Sequence, residues 1–184
     1  MMHENIDRVL YSEQDIAQRV AEMGEEITRD YAGRATLENG IVMIAVLRGA
    51  AIFMADLARA VKLPIEMEYM AISSYGSGSH SSGVVRILKD ISTDIEGRHV
   101  IIAEDVLDTG LTLKYLLRNL ASRNPASIEV ATLLHKSVPG QADIPVRYLG
   151  FEAPNEFLVG YGLDYAERYR NLPYIGVLKS DQYQ

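Results

Sequence analysis

The stretch from residue 100 to residue 112 constrains the fold of this chain more than any other. It reads Val-Ile-Ile-Ala-Glu-Asp-Val-Leu-Asp-Thr-Gly-Leu-Thr, so an apolar run meets two adjacent carboxylates, a third carboxylate and then Thr-Gly-x-Thr. Leucines then recur at the spacing of one helical face: Leu113, Leu116, Leu117 and Leu120. The pattern predicts a buried strand, an acidic turn and a helix N-terminus, a junction at which open α/β sheets bind ligands.

The rest of the chain alternates strand-like and helix-like segments. Ser12 and Asp15 have the spacing of a capping box and predict a helix over residues 13–31. Residues 41–47 are apolar on both faces, as buried parallel strands are. Further segments are predicted as a helix at about 52–62 and strands at 65–72, 84–88, 127–134, 146–150, 158–161 and 174–178. The order predicts an α/β fold with a central, mostly parallel sheet flanked by helices.

One segment has low complexity. Residues 73–83 read Ser-Ser-Tyr-Gly-Ser-Gly-Ser-His-Ser-Ser-Gly and lie inside a continuing strand pattern. We therefore interpret them as a flexible lid loop within one domain spanning residues 1–184, rather than as a linker between domains.

Composition excludes several classes of function. The chain has no cysteine, which removes disulfides and thiolate metal sites. Its net charge of −7 disfavours nucleic acid as the main partner, because phosphate backbones attract basic surfaces. The polar N-terminus has no apolar signal core, and no stretch approaches the length of a membrane span, so we expect a cytoplasmic protein that binds no membrane.

The acidic junction indicates a ligand with two kinds of groups. The helix start at Thr109-Gly110-Leu111-Thr112 offers unpaired N–H groups, hydroxyls and a positive dipole end to an anion such as phosphate. The carboxylates before it would repel a bare phosphate but suit sugar hydroxyls, a cation or a positively charged intermediate. A phosphorylated sugar satisfies both halves, whereas the structural alternative is an acidic loop with an N-cap.

The stretch resembles the phosphoribosyl pyrophosphate signature of type I phosphoribosyltransferases, and the whole chain resembles the hypoxanthine(-guanine) phosphoribosyltransferases of purine salvage. The resemblance is carried in order and spacing by residues 47–50, Ser74-Tyr75, the signature at 104–112, Lys136, residues 157–164 and Arg170. It implies the type I phosphoribosyltransferase fold, with a small hood built from the N- and C-terminal segments. It also implies a homodimer or homotetramer.

The resemblance assigns the phosphoribosyl pyrophosphate site. Glu104 and Asp105 would contact the ribose hydroxyls. Asp108, the catalytic residue, would lie beside N7 of the purine and accept its proton. The 5′-phosphate would lie on Thr109, Gly110, Leu111 and Thr112. Pyrophosphate would be bound by Arg48, Gly49 and Arg170, with a cis peptide between Leu47 and Arg48. Ser74 and Tyr75 would belong to the lid.

The resemblance also assigns the purine and metal sites. Lys136 would donate to the 6-oxygen of the base, Phe157 would stack on its ring, and the backbone of Leu158 would read its edge. Asp164 would line this site and hold a second Mg²⁺ through the pyrophosphate, while Glu104 and Asp105 would serve the first Mg²⁺. Taken singly, these residues have ordinary interpretations as a solvated lysine, a core phenylalanine or a turn cap.

The implied reaction is Mg²⁺-dependent phosphoribosyl transfer from 5-phosphoribosyl 1-pyrophosphate to hypoxanthine or guanine, giving the monophosphate and pyrophosphate. A regulator that senses these ligands and acts on nucleic acid is the alternative from another class, but the chain lacks the basic surface that such a regulator needs. A transferase for adenine, orotate or uracil is disfavoured by Lys136 together with residues 157–160. Lysine is a hydrogen-bond donor, and it would face the 6-amino group of adenine, which is a donor as well.

Overall fold

The computed structural model describes residues 2–74 and 85–183. Its helices are α1 (Glu13–Tyr31), α2 (Ala51–Ala60) and α3 (Leu111–Ala121), with 3₁₀ turns at Met2–Asn5 and Ser180–Gln182. Its strands are β1 (Ile6–Tyr11), β2 (Ile41–Leu47), β3 (Ile65–Ser74), β4 (Val85–Lys89), β5 (His99–Leu107), β6 (Ser127–Lys136), β7 (Tyr148–Ala153), β8 (Leu158–Val159) and β9 (Ile175–Leu178). No helix in these residues is long and apolar enough to cross a membrane.

The main sheet has the strand order β4-β3-β2-β5-β6-β7. Neighbouring strands run parallel except for β3 and β4, which form an antiparallel pair at one edge. The predicted mostly parallel sheet is therefore confirmed. Because β2 and β5 lie side by side in the centre of the sheet and run parallel, their carboxyl ends come together, and the candidate site lies there.

The alternation of apolar side chains explains why helices cover both faces of the sheet. In β2, Met43 and Ala45 pack in one core cluster with α1 and α2, while Val42 and Ile44 pack in the other with α3. Helix α1 contributes Ile16, Val20, Met23 and Ile27 to the first cluster, which is the face that its periodicity predicts. The Ser12–Asp15 capping box that begins α1 is confirmed as well.

A second, small antiparallel sheet has the order β1-β9-β8. It joins the N-terminal strand to strands near the C-terminus, and it has its own cluster of buried side chains: Val159, Tyr169, Leu172 and Leu178. We call this unit, residues 2–11 and 154–183, the hood. The segment from residue 157 to residue 164, which carries the purine-site predictions, therefore lies beside β9 rather than in the main sheet.

Candidate active site

Strand β5 carries two of the predicted acids, Glu104 and Asp105, near its carboxyl end. The expectation that the strand ends before Glu104 and Asp105 was wrong, because β5 stays paired with β6 through Leu107. Side chains alternate along a strand, so the two carboxylates leave the sheet on opposite faces. Glu104 points into a cavity beside α3, while Asp105 lies against Gly49 of the neighbouring turn.

The cavity beside α3 has a volume of about 180 Å³ and lies at the N-terminus of that helix. Its lining includes the following residues: Val46, Glu104, Asp108, Thr109, Gly110 and Thr112. Gly110 is the N-cap with φ of 73°, a left-handed conformation that glycine adopts without strain. Among the described residues no side chain caps α3, so its first N–H groups are left to a ligand. Leu111 is exposed and could contribute only its backbone.

The acids of β5 are in an environment that disfavours negative charge. Burial, and then the neighbouring Asp105, raise the pKa of Glu104 well above its usual range. Burial also raises the pKa of Asp105, although the Val106 N–H donates to it and Arg170 lies close by. Two carboxylates placed in this way are stabilised by a cation or by a developing positive charge.

The turn after β2 packs tightly between β5 and the hood. The peptide bond between Leu47 and Arg48 is cis, as the resemblance implies. A Cβ on Gly49 would lie 1.8 Å from Oδ2 of Asp105, and a Cβ on Gly162 would lie 2.2 Å from the carbonyl oxygen of Gly49. Glycine at both positions therefore lets the Asp105 side chain and the hood backbone approach this turn closely.

Two arginines predicted to bind pyrophosphate share one carboxylate in the hood. Arg48 Nη1 lies 2.6 Å from Oε2 of Glu167, and Arg170 Nη2 lies 3.3 Å from Oε1 of the same residue. Arg170 also pairs with Asp164 at 2.9 Å and donates to the Gly162 carbonyl at 2.7 Å. The two arginines therefore converge on Glu167.

A larger cavity, of about 520 Å³, lies between the turn after β5 and the hood. Its lining brings together the catalytic and purine-site predictions: Asp108, Lys136, Phe157, Leu158 and Asp164, with Asn155, Glu156 and Tyr183. Lys136 donates from Nζ to the carbonyl of Glu156 at 2.8 Å. The Phe157 ring is 37% exposed, so it is available to a ligand rather than buried in the core.

Three residues of this region were missed from the sequence. Tyr183 stacks on Phe157 with ring centroids 4.8 Å apart and lines the larger cavity. Gln141 bonds to the carbonyls of Asp108 and Lys136. Glu167 bonds both arginines. A tyrosine near the end of the chain, a loop glutamine and a hood glutamate carry no local signal for these contacts.

Part of the predicted site lies outside the described residues. Ser74 ends β3 and pairs with Val85 of β4, and its side chain is not described. Tyr75 and most of the predicted lid over residues 73–83 fall between the described ranges 2–74 and 85–183. Their assignment to a lid stays a prediction.

Metal ligands are sparse in the described part of the chain. Within residues 2–74 and 85–183, no group of three or more histidine, aspartate or glutamate side chains is arranged to hold a metal ion. Glu104 and Asp105, which leave β5 on opposite faces, nevertheless each offer a buried carboxylate in a setting that favours a cation. Mg²⁺ commonly takes one or two carboxylates and completes its shell with substrate oxygens, which either of these carboxylates can accommodate.

Comparison with known proteins identifies the family. The phosphoribosyl transferase domain family matches residues 9–166. Hypoxanthine-guanine phosphoribosyltransferase of Mycobacterium tuberculosis is 54% identical, covering 98% of this chain and 90% of that protein, and the Streptococcus thermophilus protein of the same name is 47% identical, covering 100% and 99%.

Solved structures agree with these sequence relatives. A hypoxanthine phosphoribosyltransferase from Staphylococcus aureus superposes with a TM-score of 0.93 at 44% identity, covering 100% of this chain and 97% of that one. A mutant of the Trypanosoma cruzi hypoxanthine phosphoribosyltransferase, in a ternary substrates complex, gives a TM-score of 0.93 at 41% identity, covering 98% of this chain and 100% of that one. The chain is therefore a transferase that belongs to the hypoxanthine-guanine phosphoribosyltransferase family of type I phosphoribosyltransferases.

Proposed function

We propose that the chain transfers the phosphoribosyl group of 5-phosphoribosyl 1-pyrophosphate to hypoxanthine or guanine, in the presence of Mg²⁺, and releases pyrophosphate with inosine or guanosine monophosphate. One observation carries the proposal: Asp108 lines both the cavity at the N-terminus of α3 and the cavity that contains Lys136 and Phe157. A sugar phosphate and a base placed in these two cavities meet at Asp108.

The cavity at α3 suits the sugar phosphate. The free N–H groups of the first helical turn, the left-handed Gly110 and the hydroxyls of Thr109 and Thr112 provide donors to a 5′-phosphate. Glu104 on the same wall can accept from ribose hydroxyls. The pyrophosphate would then extend toward Arg48 and Arg170, whose guanidinium groups converge on Glu167.

The larger cavity suits a 6-oxopurine. The exposed Phe157 ring offers a stacking surface, and the Lys136 ammonium is held at the cavity wall by the Glu156 carbonyl, with donors left for an oxygen. That donor favours a 6-oxo group over the 6-amino group of adenine. Asp108 is exposed toward the same space and can accept the N7 proton.

The chemistry follows from these positions. The bond between the anomeric carbon and the pyrophosphate oxygen breaks, and a bond to N9 of the purine forms, while the N7 proton moves to Asp108. Positive charge that develops on the sugar ring is stabilised by the carboxylates of β5. The arginines, once released from Glu167, bind the leaving pyrophosphate with charge-assisted hydrogen bonds.

Mg²⁺ fits the donors of β5 better than those of the hood. Glu104 or Asp105, which leave β5 on opposite faces, would hold it with oxygens of the substrate, and bound there it would neutralise charge on the leaving group. Asp164 is already paired with Arg170 at 2.9 Å, so a second ion at Asp164 requires that pair to open or to share the carboxylate. The dimeric or tetrameric assembly and the cytoplasmic location stay predictions.

The proposal is tested by mixing protein, 5-phosphoribosyl 1-pyrophosphate, Mg²⁺ and hypoxanthine and following inosine monophosphate by chromatography. We expect turnover with hypoxanthine or guanine, none above background with adenine, and loss of turnover after chelation with EDTA that excess Mg²⁺ restores. Absence of product with every 6-oxopurine would refute the proposed reaction, and turnover that survives chelation would refute the metal requirement.

A further inference from the structure

We propose that Gln141 is a positioning residue that fixes the turn carrying Asp108 relative to the strand end carrying Lys136, and that His135 and Glu152 orient its amide. The inference rests on the proposed function, because it concerns two groups that the reaction would place on the same purine. It assigns a role to a loop residue that lines neither cavity.

The Gln141 amide nitrogen joins the two parts of the base site directly. Its Nε2 lies 2.5 Å from the main-chain oxygen of Asp108 and 2.8 Å from that of Lys136. An amide nitrogen carries two hydrogens, so one is available for each carbonyl. The side chain therefore ties the end of β6 to the turn after β5, immediately beyond the Leu107–His135 pair of the sheet.

The orientation of the amide is determined by its other end. Oε1 of Gln141 lies 3.2 Å from Nε2 of His135, while Nδ1 of His135 lies 3.0 Å from a carboxylate oxygen of Glu152. A flipped amide would put its oxygen against two carbonyls, which is repulsive. Both ring nitrogens of His135 face oxygen atoms, one of the Gln141 amide and one of the Glu152 carboxylate. Glu152, His135 and Gln141 thus form one chain of hydrogen bonds from β7 to the site.

The loop that contains Gln141 also holds the Asp108 turn through its backbone. The Ala142 N–H donates to the Thr109 carbonyl at 2.8 Å, and a Cβ on Gly110 would lie 2.8 Å from Ile144. These contacts set the loop against the turn. Within the described residues, Gln141 is the side chain of this loop that also bonds to the Lys136 main chain.

The proposed reaction needs this connection because Asp108 and Lys136, which would contact the same purine, follow or end different strands. Asp108 is exposed on a turn, and Lys136 is the last residue of β6. A shift of about 1 Å in a catalytic group can cost roughly 100-fold in rate. A link between the main chains of Asp108 and Lys136 limits such a shift. Among the described contacts, Gln141 bonds no side chain of the sugar-phosphate cavity and reaches that cavity through the Asp108 main chain alone, so its larger effect should be on the base and on turnover.

The test is Gln141→Leu, which keeps the size of the side chain and removes its hydrogen bonds, with Gln18→Leu on the exposed face of α1 as the matched control. We expect Gln141→Leu to raise KM for hypoxanthine about tenfold, because the Asp108 turn and the end of β6 lose the two hydrogen bonds that join them. It should lower kcat and leave KM for 5-phosphoribosyl 1-pyrophosphate within about twofold of the wild-type value. His135→Phe should change the same parameters in the same direction by less.

Gln18→Leu should leave all three parameters unchanged. If Gln141→Leu fails to fold, which a thermal melt would show, His135→Phe provides the same comparison between the two KM values. Equal changes in both KM values, or a change in kcat alone, would indicate a merely structural role and overturn the inference. A wild-type chain that forms no product would overturn the proposed function and this inference together, whereas active wild-type protein with unchanged variants overturns the inference alone.

Discussion

Gly49→Ala is the substitution for which the structure gives the sharpest expectation. A methyl group there would lie 1.8 Å from Oδ2 of Asp105, whereas ordinary contact begins near 3.4 Å. The carboxylate or the turn must therefore move by roughly 1.6 Å to accept it. The φ angle of Gly49 is outside the left-handed region, so the backbone itself accepts alanine and the steric contact is isolated.

The expected magnitude depends on which group moves. If the turn moves, overpacking costs about 1–3 kcal/mol, and at about 2–4 °C per kcal/mol for a domain of this size the melting temperature falls by about 2–12 °C. If Asp105 rotates away instead, it loses the hydrogen bond from the Val106 N–H and stability falls less. In both cases a group of the site moves by more than 1 Å, and kcat/KM should fall about 100-fold.

The assay is initial-rate formation of inosine monophosphate, together with a thermal melt. Gly33→Ala is the matched control, because Gly33 has φ of 75° and a Cβ there has no neighbouring atom within 4 Å. It should cost about 1 kcal/mol in backbone strain and leave kcat/KM unchanged. A Gly49→Ala protein with a rate within twofold of wild type would refute the argument that the site depends on this close approach.

Three further predictions concern single carboxylates. Asp108→Asn should lower kcat by about 100-fold or more with little change in KM for 5-phosphoribosyl 1-pyrophosphate, since general base catalysis contributes about that much; an unchanged kcat removes Asp108 from the mechanism. Glu167→Gln should tighten pyrophosphate binding a few-fold in calorimetry, because Arg48 and Arg170 lose a competing carboxylate, and weaker binding would contradict this. Glu68 is buried, and burial raises its pKa, but hydrogen bonds from Thr93 and Ser92 outweigh this effect and hold the pKa of Glu68 below its usual value. The ionised carboxylate therefore stabilises the fold at pH values above its unfolded-state pKa, and this stabilisation is lost as the pH falls through the folded-state pKa. Urea unfolding at pH 7 and at about pH 4 should therefore show a smaller loss of stability in Glu68→Gln than in wild type, and an equal loss would refute it.

The main sheet was predictable because its signals are local. Strand β2 and helix α1 have the predicted bounds, since both-face burial and a capping box are read from consecutive residues. Strand β1 was missed because its side chains are mostly exposed or half-buried, and its pairing partner β9 lies about 170 residues away in the chain. The predicted end of β5 was wrong because pairing with β6 keeps two acidic residues in the strand, which composition alone disfavours.

The candidate site was predictable where residue type and order carry the chemistry, as at Asp108, Lys136 and Phe157, which the structure places around one cavity. Contacts made through the main chain were not. Gln141 reaches two carbonyls, and a carbonyl has no sequence signature. The position of Tyr183 on Phe157 likewise depends on how the hood folds the end of the chain back over the site.

A crystal structure of this protein with inosine monophosphate tests most directly where the phosphate and the base bind. We expect the 5′-phosphate at the N-terminus of α3 among residues 109–112, the 6-oxygen within hydrogen-bonding distance of Lys136 Nζ, and the purine ring stacked on Phe157 with N7 beside Asp108. A nucleotide bound with its phosphate away from α3, or with its base outside the cavity lined by Lys136 and Phe157, would contradict it.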